Sequence, residues 1–139
     1  MLVKDIMSKR LIMVGPRETA YAAVKLMVEN NISGVVVEDA KKAVGMITMR
    51  DICRRVIAQE KDIHTTLAGE VMSSPVMTVN HITAVEKAAQ IMGERKLKRL
   101  VVVDDKNKAL GIITVMDVVS KLPELIDVMF QMWVKPDWR

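Results

Sequence analysis

Residues 45–51 read GMITMRD and residues 111–117 read GIITVMD, so glycine, two apolar residues, threonine, two further residues and aspartate occur twice in one chain. Extended outward, AVGMITMRDI aligns with ALGIITVMDV at an offset of 66, while VKDIMS (3–8) aligns with AGEVMS (68–73) and LIMV (11–14) with VMTV (76–79) at an offset of 65. Between these, AYAAVKLM matches VEKAAQIM and NISGVVVED matches KLKRLVVVD. A period this long, present only twice, marks the duplication of a compact unit and not a solenoid.

Each copy predicts the same order of elements. LIMV and VMTV are short apolar runs, and the stretches 19–29 and 83–94 then place Ala23, Leu26 and Met27, or Ala88, Ile91 and Met92, at helical spacing. GVVVE and LVVV are rich in β-branched residues and are joined by the polar turns DAKK and DDKNK to AVGMIT and ALGIIT, which predicts a hairpin. A last helix starts near each threonine. The fold class is therefore α+β, with two β-α-β-β-α repeats and a C-terminal helix. Each three-stranded sheet would leave an apolar face bare, so the repeats are expected to pack on each other about a pseudo-twofold axis. The segmentation is repeat 1 over 1–58, a polar linker over 59–67, repeat 2 over 68–122 and an amphipathic tail over 123–139.

The composition is that of a globular protein with a core: 50% of the 139 residues are hydrophobic and 27% charged. Twelve Met residues and four aromatics point to an aliphatic core with adaptable filler. A single Cys excludes an internal disulfide, and no CxxC or Cys/His cluster offers a metal site. The N-terminus has no signal-like apolar stretch, and no window approaches a membrane span, so a cytoplasmic protein is expected. The net charge of +4 is spread along the chain, including the cluster Arg95-Lys96-Leu97-Lys98-Arg99.

Thr48 and Thr114 stand where a strand ends and a helix starts, with Asp51 and Asp117 in the first turn. Ordinary helix capping accounts for this pattern at one copy. The same geometry also suits a nucleotide, because a helix start with a hydroxyl can meet a phosphate and a carboxylate can accept a ribose diol. Gly45 and Gly111 fit a turn or a backbone that must come close to another group.

The repeated order, with GVVVED or RLVVVDD followed by GMITMRDI or GIITVMDV, resembles a tandem pair of cystathionine β-synthase (CBS) domains, a Bateman module, over about residues 3 to 122. The resemblance implies binding of AMP, ADP or ATP, with S-adenosylmethionine after them, in two clefts between the repeats, and a homodimer. It assigns Asp117 to the ribose, Thr114 to phosphate, Ile112 to the cleft wall, and Lys98 and Arg99 to phosphate charge. Met7, Arg10, Ile12, Ile32 and Ser33 would surround the base. The second cleft would use Met46, Thr48, Asp51, Met72, Met77 and Leu97 with Lys98. Because Ser33 and Gly34 occupy the places of Lys98 and Arg99, the Asp117 cleft is expected to bind more tightly.

No catalytic constellation is legible. Cys53, on a predicted helix, reads as a core residue, and His64 and His81 lie in polar surroundings. A regulatory module without enzyme activity is expected, acting on an unidentified partner protein. The alternatives are a nucleic-acid-binding protein, disfavoured by the dispersed charge and the absence of any known recognition motif, and a dimerisation module without ligand. In the tail, Leu125, Val128, Met129, Met132 and Trp133 recur at helical spacing, and Phe130, Trp133 and Trp138 are three of the four aromatics; this helix is expected to serve the dimer.

Overall fold

The computed structural model describes residues 1–130. In chain order the elements are α1 (Val3–Ile6), β1 (Met13–Val14), α2 (Ala20–Glu29), β2 (Gly34–Asp39), β3 (Lys42–Thr48), α3 (Met49–Ile52), a π-helical turn (Cys53–Ile57), α4 (Ala68–Val71), β4 (Thr78–Asn80), α5 (Val85–Arg95), β5 (Arg99–Val103), β6 (Ala109–Thr114), α6 (Val115–Lys121), a 3-10 turn (Pro123–Leu125) and α7 (Ile126–Phe130). The α+β class and the duplication are thus realised as two three-stranded sheets, ordered β1-β2-β3 and β4-β5-β6.

The compact units are cut differently from the sequence repeats. One unit is Leu11–Val76, and the other joins Met1–Arg10 to the chain from Met77 onward. They are called here the Thr48 unit and the Thr114 unit. Each takes the opening segment of the other repeat: 68–76 belongs with β1 to β3, and 1–10 with β4 to β6.

Within the Thr48 unit, β1 runs parallel to β2 (Met13 beside Val36) and β3 antiparallel to it (Val36 beside Met46). Helix α2 is the crossover. Thr19 caps it, its Oγ1 accepting from the Ala22 N–H at 3.1 Å, and Ala20, Ala23 and Met27 are buried on one face. That face meets Val35, Val37 and Ile47 in one apolar cluster. The hairpin turns at Ala40 and Lys41, with φ of 50° and 66°. Positive φ at both central residues matches the right-handed twist of the strands, although neither residue is the Gly or Asn that usually occupies such a turn. The expected linker is part of this unit: the Ala20 N–H donates to Thr66 O at 2.7 Å and the Tyr21 N–H to Ile63 O at 3.0 Å. His64 stacks on Tyr21, ring centroids 4.5 Å apart.

The Thr114 unit repeats the plan, with Thr78 beside Val101 and Val101 beside Ile112. Val85, Ala88, Ala89 and Met92 of α5 are buried against Leu100 and Ile113. β1 and β4 are shorter than, or shifted from, LIMV and VMTV. The preceding residues give only a carbonyl each, Ile12 O to the Val36 N–H and Met77 O to the Val101 N–H. Met129 of α7 is buried in this same core. A β-carbon on Gly93 would lie 2.9 Å from Val128 O, so glycine permits this approach of α7 to α5. The described part of the tail therefore packs on its own unit, while Ile126, Val128 and Phe130 remain exposed; Met132, Trp133 and Trp138 lie outside the described residues.

Cys53 is exposed, contrary to the core position expected for it. The helix after Asp51 widens into the π turn, which buries Ile52 and Val56 and leaves Cys53 outside.

The β5–β6 turn is organised by Asp104, whose Oδ1 accepts from the N–H groups of Lys106 and Lys108, each at 2.9 Å. These bonds, that from Lys108 foremost, hold the carboxyl below its ordinary value against a smaller opposing effect of burial. A lowered folded-state pKa stabilises the fold fully above the ordinary Asp value of about 3.9 and is lost as pH falls through the lowered value. Carbon-detected NMR titration should therefore place the Asp104 midpoint below that of a random-coil Asp, and Asp104→Asn should flatten the acid limb of the melting curve.

Candidate functional site

The two Thr/Asp pairs are closed capping boxes. In the Thr114 unit the Thr114 N–H and hydroxyl both donate to Asp117 Oδ2, at 2.8 and 3.0 Å, and the Asp117 N–H donates back to Thr114 Oγ1 at 3.2 Å. In the Thr48 unit the equivalent bonds are 2.9, 3.1 and 3.3 Å. Each unit thus spends one carboxylate oxygen on its own helix start, and capping is real in both copies. The threonine proton is directed at the aspartate in each, so a phosphate at Thr114 would have to draw that hydroxyl away.

The opening segments complete each site. Ser8 and Ile112 exchange backbone hydrogen bonds of 2.8 and 2.9 Å, and Met46 and Ser73 exchange bonds of 3.0 and 2.9 Å. This explains the repeated glycines. A β-carbon on Gly111 would run into Ser8 O, and one on Gly45 would lie 2.9 Å from Ser73 O and 2.5 Å from the Met72 sulfur. Ser8 and Ser73 were not singled out from the sequence, though the repeated Met-Ser of VKDIMS and GEVMS is the trace they leave there.

In the Thr114 unit, Arg99 pairs with Thr114 across the sheet, and Lys98 O accepts from the Val115 N–H at 2.9 Å. The backbone therefore brings Met7, Ile112, Lys98, Arg99, Thr114 and Asp117 to one end of one sheet, with Arg10 following Ser8. Met77 and Leu97 belong to the same unit and pack half-buried on its core. In the Thr48 unit, Gly34 pairs with Thr48 and Ser33 O accepts from the Met49 N–H at 3.0 Å, so this site has no cation where the other has two. Met46, Asp51 and Met72 join it, and Ile12, Ile32 and Ser33 also belong to this unit. Ile12, Ile32 and Met72 pack half-buried on its core.

The aspartates differ in what remains to them. Asp117 is half-buried, and its Oδ1 has no hydrogen-bond partner among the described residues. Asp51 is 8% exposed, and its Oδ1 accepts from the Ser73 hydroxyl at 3.4 Å with the Arg55 guanidinium at 4.0 Å. Among the described residues no helix is long and apolar enough to cross a membrane, and no group of three or more His, Cys, Asp or Glu side chains could hold a metal ion.

A duplicated unit of this order, with paired Thr/Asp caps on glycine-bearing strands, defines a tandem-repeat protein of one class. Residues 3–58 and 68–124 each match the CBS domain, and the chain belongs to that family. Among its relatives, the uncharacterized protein MK0525 of Methanopyrus kandleri is 34% identical over 125 residues, which are 89% of this chain and 64% of that protein. The CBS domain-containing protein YhcV of Bacillus subtilis is 35% identical over 115 residues, 83% of this chain and 81% of YhcV. Among solved structures, the CBS domain pair of protein MJ0100 in complex with 5′-methylthioadenosine and S-adenosyl-L-methionine superposes with a TM-score of 0.78 at 30% identity, covering 89% of this chain and 97% of that one.

Proposed function

We propose that this chain is a regulatory module that binds adenosyl compounds, with Asp117 as the anchor of the principal site. The observation that carries the reading is the Oδ1 of half-buried Asp117, without a hydrogen-bond partner among the described residues and at the same sheet end as Lys98 and Arg99. A carboxylate oxygen fixed by a rigid cap can accept from a ribose diol without being reoriented, and cations nearby offset the charge of a phosphate. A CBS pair at 30% identity whose solved complex contains two adenosyl compounds supports the same class of ligand. No catalytic role is assigned to any residue. The regulatory output would pass to a homodimer partner or another protein, and a cytoplasmic setting fits nucleotide ligands.

The test is isothermal titration calorimetry of the whole chain against AMP, ADP, ATP and S-adenosylmethionine. Saturable binding of at least one, lost in Asp117→Ala, is the expected result. Equal heats for wild type and variant, or no binding by any of the four, would sink the reading.

A further inference from the structure

The two sites share a backbone plan, and among their differences is what the outer oxygen of the aspartate meets. On Asp51 that oxygen faces two side chains of its own unit. Ser73 Oγ donates to it at 3.4 Å, and Arg55, four residues along the helix, holds its guanidinium 4.0 Å away, with the Asp51 side chain only 11% exposed. Arg55 is itself fixed, its Nη1 donating to Val71 O at 2.7 Å. The same nitrogen makes both contacts: Nη1 donates to the Val71 carbonyl and is thereby held 4.0 Å from Asp51 Oδ1.

The matched positions in the Thr114 unit do otherwise. Ser8 stands where Ser73 does, but its Oγ accepts from the Arg10 N–H at 3.3 Å and, among the described residues, donates no hydrogen bond to Asp117. Lys121 stands where Arg55 does, is exposed, and makes no ion pair with Asp117 among the described residues. The helices also diverge at this point. The π turn carries Arg55 in the first copy, whereas α6 continues as an α-helix to Lys121 in the second.

We infer that Arg55 and Ser73 form an internal latch that occupies Asp51 in place of a ligand's diol, so that the chain presents one open adenosyl site and one self-filled site. The inference rests on the adenosyl reading above and adds the regulation of the Asp51 site. A tethered hydroxyl and cation compete at a high effective concentration, and a ligand must displace both before Asp51 can accept from it. Arg55 is a positioning residue whose removal strengthens binding, the opposite of what a phosphate-contacting arginine would do.

The experiment uses the whole chain with Asp117→Ala as background, titrated calorimetrically with AMP, ADP, ATP and S-adenosylmethionine. Adding Arg55→Met and Ser73→Ala is expected to restore binding, with affinity raised about tenfold or more over the background, and Asp51→Ala should abolish the restored binding. Unchanged or weaker affinity would overturn the latch. Arg55→Lys, which keeps the charge but shortens the reach to Val71 O and Asp51, should give a smaller gain in the same direction, and no gain from it would count against the latch even if the double replacement folds poorly. Wild-type binding that Asp117→Ala removes and the latch variants do not restore rejects the latch alone. A wild-type chain that binds none of the four compounds rejects the latch together with the adenosyl reading.

Discussion

Gly111→Ala is expected to lower the stability of the Thr114 unit by about 2–4 kcal/mol, the range of severe backbone and overpacking substitutions. The new β-carbon runs into the Ser8 carbonyl, and no rotamer can relieve a clash between a β-carbon and main chain. Relief requires the Ser8 segment to lift off, which breaks both hydrogen bonds between Ser8 and Ile112. Thermal and urea unfolding should show the loss, and amide exchange should show residues 1–10 released first. Gly45→Ala should cost less, because its nearest neighbour is the Met72 sulfur and a thioether can turn aside, although Ser73 O at 2.9 Å still resists. A Gly111→Ala protein with wild-type stability would show that the opening segment does not dock on β6 as described.

Asp117→Ala is expected to reduce adenosyl binding by about 100-fold or more, the loss of a doubly used charged acceptor, while costing about 1 kcal/mol of stability through the cap. The comparison with Asp51→Ala separates the two roles of these aspartates. Asp51 is nearly buried, and its removal leaves Ser73 and Arg55 facing an empty position. It should destabilise its unit more than Asp117→Ala does and change ligand affinity little. Asp117→Asn keeps an acceptor for the cap but loses the charge, so it should restore most of the stability and little of the binding. If both alanine variants bind as the wild type does, Thr-x-x-Asp is a cap in this protein and nothing more.

Much of this was legible from spacing. The duplicated GxxTxxD, the β-branched runs and the helical spacing of Ala23 and Met27 identified the sheets, the crossover helices and the capping boxes, because those features depend on neighbours a few residues apart. The polar character of 59–67 suggested a simple connector, yet Thr66 and Ile63 carbonyls cap the start of α2. Backbone carbonyls leave no mark in side-chain chemistry. Cys53 reads as core from its residue type and its place on a helix, yet it stands exposed at the start of the π turn, beside buried Ile52. Met129 had the right periodicity for a buried face, but only the close approach at Gly93 shows which core receives it.

Local pattern, repeated at 65 or 66 residues, carried the duplication, the β-α-β-β-α order, the CBS resemblance and the two aspartates, but not the short helices α1 and α4 that open each copy. That residues 1–10 and 68–76 complete the opposite units, that Gly45 and Gly111 must be glycine, and that Asp51 Oδ1 is engaged while Asp117 Oδ1 has no partner among the described residues emerge only from the folded chain. The physical reason is the same for all three. They depend on groups brought together over long sequence separations, Ser8 with Ile112 or Ser73 with Asp51, and a period read along the chain carries no record of which atoms meet across it.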